Sequence, residues 1–190
     1  MERIESFLKQ IIANLPFKDV ICMSIGGSRL GPELLSEFQS PDGSVNVFFC
    51  SSYDLLELSD VLRNCTQSET LIFASSKSFE TSEILKNLEY VKSWYGKNPD
   101  INFFDHLYGI SANASAMTAH GINKTNQFQV LDSLGGRFSI WSSMSLPAFI
   151  NSSFNSYLDL LEGAHLADEH TRKSSWESNI PVMMALLSVW

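Results

Sequence analysis

The sequence predicts a doubly wound α/β layer sandwich, and three observations lead there. Five short apolar runs, rich in β-branched and aromatic residues, read as buried strands. Stretches of helical periodicity separate them. Strands that alternate with helices imply a parallel sheet covered on both faces.

The elements follow in order. Residues 1–15 carry Glu2 and Glu5 with amphipathic spacing, so no signal or transit peptide is read there. Val20-Ile21-Cys22-Met23 is the first strand; a glycine-rich turn follows, then a helix over 32–38. The second strand spans 45–50 and a helix 55–63. The third strand, 71–74, runs into a helix over 81–94. The fourth, 106–110, precedes a helix over 113–120, and the fifth covers 128–131. Beyond it the chain turns helical over 138–150, 156–172 and 179–190. The pattern leaves the strand order open. The last segment starts on Ser178 or Asn179 with Pro181 in its first turn, yet nearly every later position is apolar. A helix apolar on all sides is expected to be buried on all sides. The sequence therefore reads as a piece of a larger protein, a single domain over 1–190 whose helical tail, 151–190, leads toward a second one.

Composition narrows the function classes. A chain of 190 residues suits one α/β domain or slightly more, and can bury a real core. Thirteen basic against 21 acidic residues give a net charge of −8 and a pI near 4.9. Lys and Arg never cluster, which argues against backbone-driven nucleic-acid binding. The longest apolar run, 180–190, is interrupted by Pro181 and Ser188 and falls short of the roughly 20 residues that span a bilayer. Cys22, Cys50 and Cys65 are odd in number and two lie in strands, as expected of buried thiols in a reducing compartment.

Ligands of open parallel sheets bind beyond the carboxyl ends of the strands, so those loops carry the chemistry. After the first strand, Gly26-Gly27-Ser28-Arg29-Leu30-Gly31-Pro32 leads into a helix. Adjacent glycines let backbone N–H groups approach an anion, though a tight strand-to-helix turn explains the same residues. The spacing matches neither the dinucleotide fingerprint nor a Walker loop. After the third strand, hydroxyls at Ser76, Ser78 and Thr81 surround Lys77 at a helix start. One cap needs one hydroxyl. Three with a lysine suit a phosphate monoester. After the fifth strand, Arg137 follows Gly135-Gly136, placed either to meet a ligand oxyanion or to pair with Asp132. The four histidines lack metal-ligand spacing, and no metal site is read.

Taken together, Ile25-Gly26-Gly27-Ser28-Arg29-Leu30-Gly31-Pro32, Ser76-Lys77-Ser78-Phe79-Glu80-Thr81 and Gly135-Gly136-Arg137-Phe138-Ser139-Ile140-Trp141-Ser142 resemble the glucose-6-phosphate isomerase family. Ile110-Ser111-Ala112-Asn113, Gly163-Ala164-His165 and Asn179-Ile180-Pro181-Val182 agree in order and spacing, so the resemblance runs from about Leu15 onward. It implies a flavodoxin-like sugar-isomerase (SIS) domain, a three-layer αβα sandwich on a five-stranded parallel sheet. It also implies that Ser76, Ser78 and Thr81 hold the substrate phosphate, with Gly27 and Ser28 close by. Lys77 matches a lysine at the sugar-binding edge. Gly136 and Arg137 match residues over C1–C2, where the arginine stabilises the enediolate. The implied substrates are glucose 6-phosphate and fructose 6-phosphate, with no cofactor, no metal, no nucleic acid and no membrane; the implied setting is a cytoplasmic homodimer of glycolysis and gluconeogenesis. Two departures stand out: Glu80 replaces a usual threonine, and the family's glutamate base, ring-opening histidine and a further lysine have no counterpart before Trp190. Asp54, Glu80 and Asp132 are the carboxylates near the loops. A non-catalytic phosphosugar-binding module is the alternative reading.

Overall fold

The computed structural model describes residues 2–14, 17–38, 45–51 and 55–190. Among them, strands and helices alternate: α1 (Glu2–Asn14), β1 (Asp19–Met23), α2 (Gly27–Glu37), β2 (Asn46–Cys50), α3 (Leu55–Asn64), β3 (Thr70–Ser75), α4 (Ser82–Tyr95), a single turn α5 (Phe103–His106), β4 (Leu107–Ser111), α6 (Ala114–Ala119) and β5 (Gln127–Gln129). Two 3₁₀ segments, Gly136–Trp141 and Ser143–Phe149, follow, then α7 (Phe154–Lys173) and α8 (Ile180–Val189). The described strands form one parallel sheet in the order β2-β1-β3-β4-β5. The order reverses at β1, which opens a crevice between the carboxyl ends of β1 and β3.

Both faces are covered, as the apolar strands require. Ile21, Met23, Ile72 and Ala74 pack with Leu58 and Leu62 of α3 and Ile84, Leu88 and Val91 of α4. On the other face, the Phe7 ring of α1 meets Phe73, Tyr108 and Phe128 edge-on, with centroids 5.1–5.8 Å apart. Tyr95 is buried and donates its hydroxyl to the Thr70 carbonyl at 2.8 Å, which ties the end of α4 to the start of β3.

Several boundaries differ from the sequence expectation. Helix α2 begins at Gly27, so Pro32 lies inside it, buried, and removes the N–H that would reach the Ser28 carbonyl. Strand β5 has only three residues. The helical stretch expected over 138–150 is two short 3₁₀ segments, broken where Ser142 adopts extended backbone and caps the second by accepting from Met144 N. Tight i→i+3 turns suit this run, in which Ser139, Ser142 and Ser145 hydroxyls donate to nearby carbonyls.

The chain divides into two compact units, 1–153 and 154–190. In the second, Asn179 caps α8 by accepting from Val182 N at 3.3 Å, and the His170 ring nitrogen accepts from Ile180 N at 3.1 Å. The apolar side chains of α8 are exposed, from Met184 and Leu187 to Trp190. No described helix is long and apolar enough to cross a membrane.

The thiols are buried or half-buried and free. Burial pushes Cys50 up to about 12, and burial with the nearby Asp19 does the same to Cys65. Burial, with Cys50 alongside, also raises Cys22 well above the ordinary thiol range. The thiolate is the nucleophile, so at pH 8 the native chain should be alkylated by iodoacetamide about a thousandfold more slowly than the unfolded one. Because the folded-state pKa values are raised, their stabilising contribution is complete below pH 9 and is lost between about pH 9 and 12. Equal alkylation rates for folded and unfolded chain would contradict this burial.

Candidate functional site

The carboxyl ends of β1, β3 and β4, with the segment after β5, enclose a cleft of about 840 Å³. Ser28, Ser76, Lys77, Ser78 and Thr81 line it, with Asn113 and Ser115 on one wall and Asp132 on another. Five residues singled out from the sequence therefore converge on one cavity.

The loop after β3 has a definite internal geometry. Ser76 is buried, and its Oγ lies 2.7 Å from Thr81 Oγ1. Thr81 occupies the N-cap position of α4 but makes no side-chain cap bond. Capping thus leaves its hydroxyl unused, and the hydroxyl turns to Ser76. Ser78 Oγ accepts from Glu80 N at 3.2 Å. Between them, Phe79 has φ 56°, a left-handed backbone that a side-chain-bearing residue seldom adopts. Its ring, 1% exposed, is anchored in the core, and that burial holds the turn that gathers the hydroxyls.

The loops after β1 and β5 touch each other. Gly26 takes φ 58° to turn the chain out of β1. At Gly27 a Cβ would sit 2.4 Å from the Gly136 carbonyl carbon and oxygen and 2.7 Å from Arg137 N. Only glycine lets these backbones meet. Ser139 Oγ closes the contact, donating to Gly136 O at 2.7 Å and reaching Gly27 O at 3.2 Å. Arg137 itself is exposed and, among the described residues, has no ion-pair or hydrogen-bond partner. Gly27, Gly136 and Arg137 adjoin the cleft through Ser28 but do not line it.

A family model described as phosphoglucose isomerase matches residues 2–190. The chain belongs to the phosphoglucose isomerase family. It is 39% identical to a glucose-6-phosphate isomerase of Pseudoalteromonas atlantica and 36% identical to that of Pseudoalteromonas translucida, over 91% and 92% of this chain. Those alignments take in 32% and 33% of the relatives, so the chain spans about a third of their length. A crystal structure of a glucose-6-phosphate isomerase from Chlamydia trachomatis superposes with a TM-score of 0.89 at 28% identity, over 100% of this chain and 36% of the other.

Within this chain, the charges near the cleft are arranged differently from the sequence reading. Asp132 does not brace the Arg137 turn; its carboxylate lies 3.5 Å from Lys77 Nζ. Both groups project from loops into the cleft, and Arg137 lies beyond that pairing. Glu80 does not line the cleft. Asp54 lies outside the described residues. Arg29 is occupied: it grips Glu33 through Nε and Nη2 at 2.9 and 3.0 Å, reaches Ser51, and has Glu57 3.6 Å away. Those carboxylates raise its pKa, the Glu33 hydrogen bonds most strongly.

His106, His120 and His170 take structural places. His106 Nδ1 is 2.9 Å from the Thr70 carbonyl, with its ring against Phe17 and Tyr95. His120 packs near Phe79. Among the described residues no group of His, Cys, Asp or Glu could hold a metal. Sequence reasoning missed Asn113 and Ser115 as a wall of the cleft. Their position just past the fourth strand was the available signal.

Proposed function

We propose that this chain is the phosphate-binding part of a glucose-6-phosphate isomerase, an aldose–ketose isomerase interconverting glucose 6-phosphate and fructose 6-phosphate. The convergence of Ser76, Ser78, Thr81 and Lys77 on one cleft at the start of α4 carries this reading. The hydroxyls and the positive end of α4 suit a phosphate dianion. Lys77 faces the sugar, and Gly27, Ser28 and Gly136 shape the approach.

The reaction moves one proton between C1 and C2. A base takes it from the carbon beside the carbonyl, and negative charge gathers on oxygen in an enediolate. The hydroxyl proton passes between the C1 and C2 oxygens, and the proton on the base returns to the neighbouring carbon. Arg137, exposed and without a partner among the described residues, is the cation placed to meet that oxygen. A fixed cation there acts mainly on the transition state. The base comes from outside this chain's cleft, whose single described carboxylate, Asp132, is engaged with Lys77. That pairing is also what favours the second reading, a phosphosugar-binding module without catalysis. In the enzyme reading the intact protein is a cytoplasmic homodimer that needs no cofactor.

Two measurements test the proposal. Fructose 6-phosphate and inorganic phosphate should each bind the 190-residue chain with amide shifts centred on residues 76–81, and fructose should not. In a coupled assay the same chain should give no turnover above background, since proton transfer needs a base within hydrogen-bond reach of C1 and C2. Phosphate-ester binding elsewhere on the chain would remove the cradle assignment, and turnover would make Asp132 the base.

A further inference from the structure

Resting on that reading of the cradle, we infer that Ser111 is a positioning residue that holds its two walls in register. Ser111 ends β4, is fully buried and does not line the cleft. Its Oγ donates to the Lys77 carbonyl at 2.8 Å and accepts from Asn113 N at 3.0 Å. Ala112 N gives the same carbonyl a second hydrogen bond at 3.0 Å. One hydroxyl thus joins the loop carrying Ser76, Lys77 and Ser78 to the loop carrying Asn113 and Ser115.

The joint sits where the sheet can no longer hold the loop. Regular β3–β4 pairing ends at Ser75 opposite Ile110, and Ser76 N still donates to Ile110 O at 3.0 Å. From Lys77 onward the backbone turns away, and two residues later it passes through the left-handed conformation of Phe79. Fixing the Lys77 carbonyl fixes the peptide planes on either side, and with them the directions of the Ser76 and Ser78 side chains. On the opposite wall, Asn113 is held at its amide by Ser111. Its Oδ1 accepts from Ala116 N at 3.0 Å and from Ser115 Oγ at 2.7 Å. Ser111 is fully buried, and removing its hydroxyl takes from Asn113 N–H the acceptor that holds it.

Titration with inorganic phosphate, read by calorimetry and by amide exchange, tests this. S111A should bind phosphate about tenfold more weakly than the unsubstituted chain, the effect of roughly one lost hydrogen bond. S111C keeps the bulk with a poor hydrogen-bonding group and should lose binding in the same way, and it decides the matter if S111A does not fold. S111T restores the hydroxyl and should restore binding. S143A removes another buried hydroxyl bond, to the Gln129 carbonyl, and should leave phosphate affinity unchanged. In the unsubstituted chain, phosphate should slow exchange of the Asn113 amide together with those of 76–81. S111A and S111C binding like the unsubstituted chain would overturn the inference and leave the proposed function standing. So would S143A weakening binding equally, or an Asn113 amide indifferent to phosphate. Absence of phosphate binding by the unsubstituted chain would overturn both.

Discussion

Replacing Ser76 and Thr81 together by alanine should weaken binding of fructose 6-phosphate and of inorganic phosphate by about tenfold or more. Hydrogen bonds to charged groups contribute about 1.5–3 kcal/mol each, so two independent ones would give far more than tenfold. They are not independent here. In the free protein the two hydroxyls bond each other at 2.7 Å, and a phosphate must replace that bond before it gains its own. The net gain is the difference, which sets the expected loss near the lower end. The fold should tolerate the change, because Thr81 makes no cap bond to α4 and Ser76 keeps its backbone bond to Ile110. Calorimetry on the double variant, with its melting curve as control, reads the effect. An unchanged dissociation constant would remove the cradle from residues 76–81.

The second large effect is expected at Gly27. Its Cβ in Gly27→Ala would fall 2.4 Å from the backbone of Gly136, where no side chain can swing aside. Either α2 or the Gly135–Arg137 turn must move, at a cost of roughly 1–3 kcal/mol or more. For a chain of this size each kcal/mol lowers the melting temperature by about 2–4 °C. Gly136→Ala is the matching control: a Cβ there meets nothing within 4 Å. The two substitutions sit on opposite sides of one contact, so G27A should melt lower than G136A and should shift the Arg137 amide resonance. Equal melting of the two would falsify the contact.

This asymmetry is not legible in the sequence. Both glycine pairs look alike as tight turns, and the sequence offers no way to tell the crowded one from the open one. The strands were legible because an apolar run of four to six residues between helical stretches has one stable use, the middle of a covered sheet. Even their ends were off by one or two residues, as at β4, which continues to Ser111. Strand ends are set by which backbone groups find partners, and those partners lie on other strands. Period alone does not separate i→i+3 from i→i+4 bonding over so short a run, so the sequence predicts one helix where two 3₁₀ segments form after β5.

For the site, the sequence by itself determined the chemistry: three hydroxyls and a lysine at a helix start, glycines at two turns, and an arginine on the second. Local bonding and residue type settle those, and both are written in consecutive residues. Only the tertiary structure decided how they combine. It turned Thr81 toward Ser76 instead of toward its own helix, because the buried ring of Phe79 holds a left-handed turn between them. It gave Asp132 to Lys77 and not to Arg137, because the β3 and β5 loops meet across the end of β4. Such pairings depend on distances between residues far apart in sequence, and those distances exist only once the sheet has set its strand order.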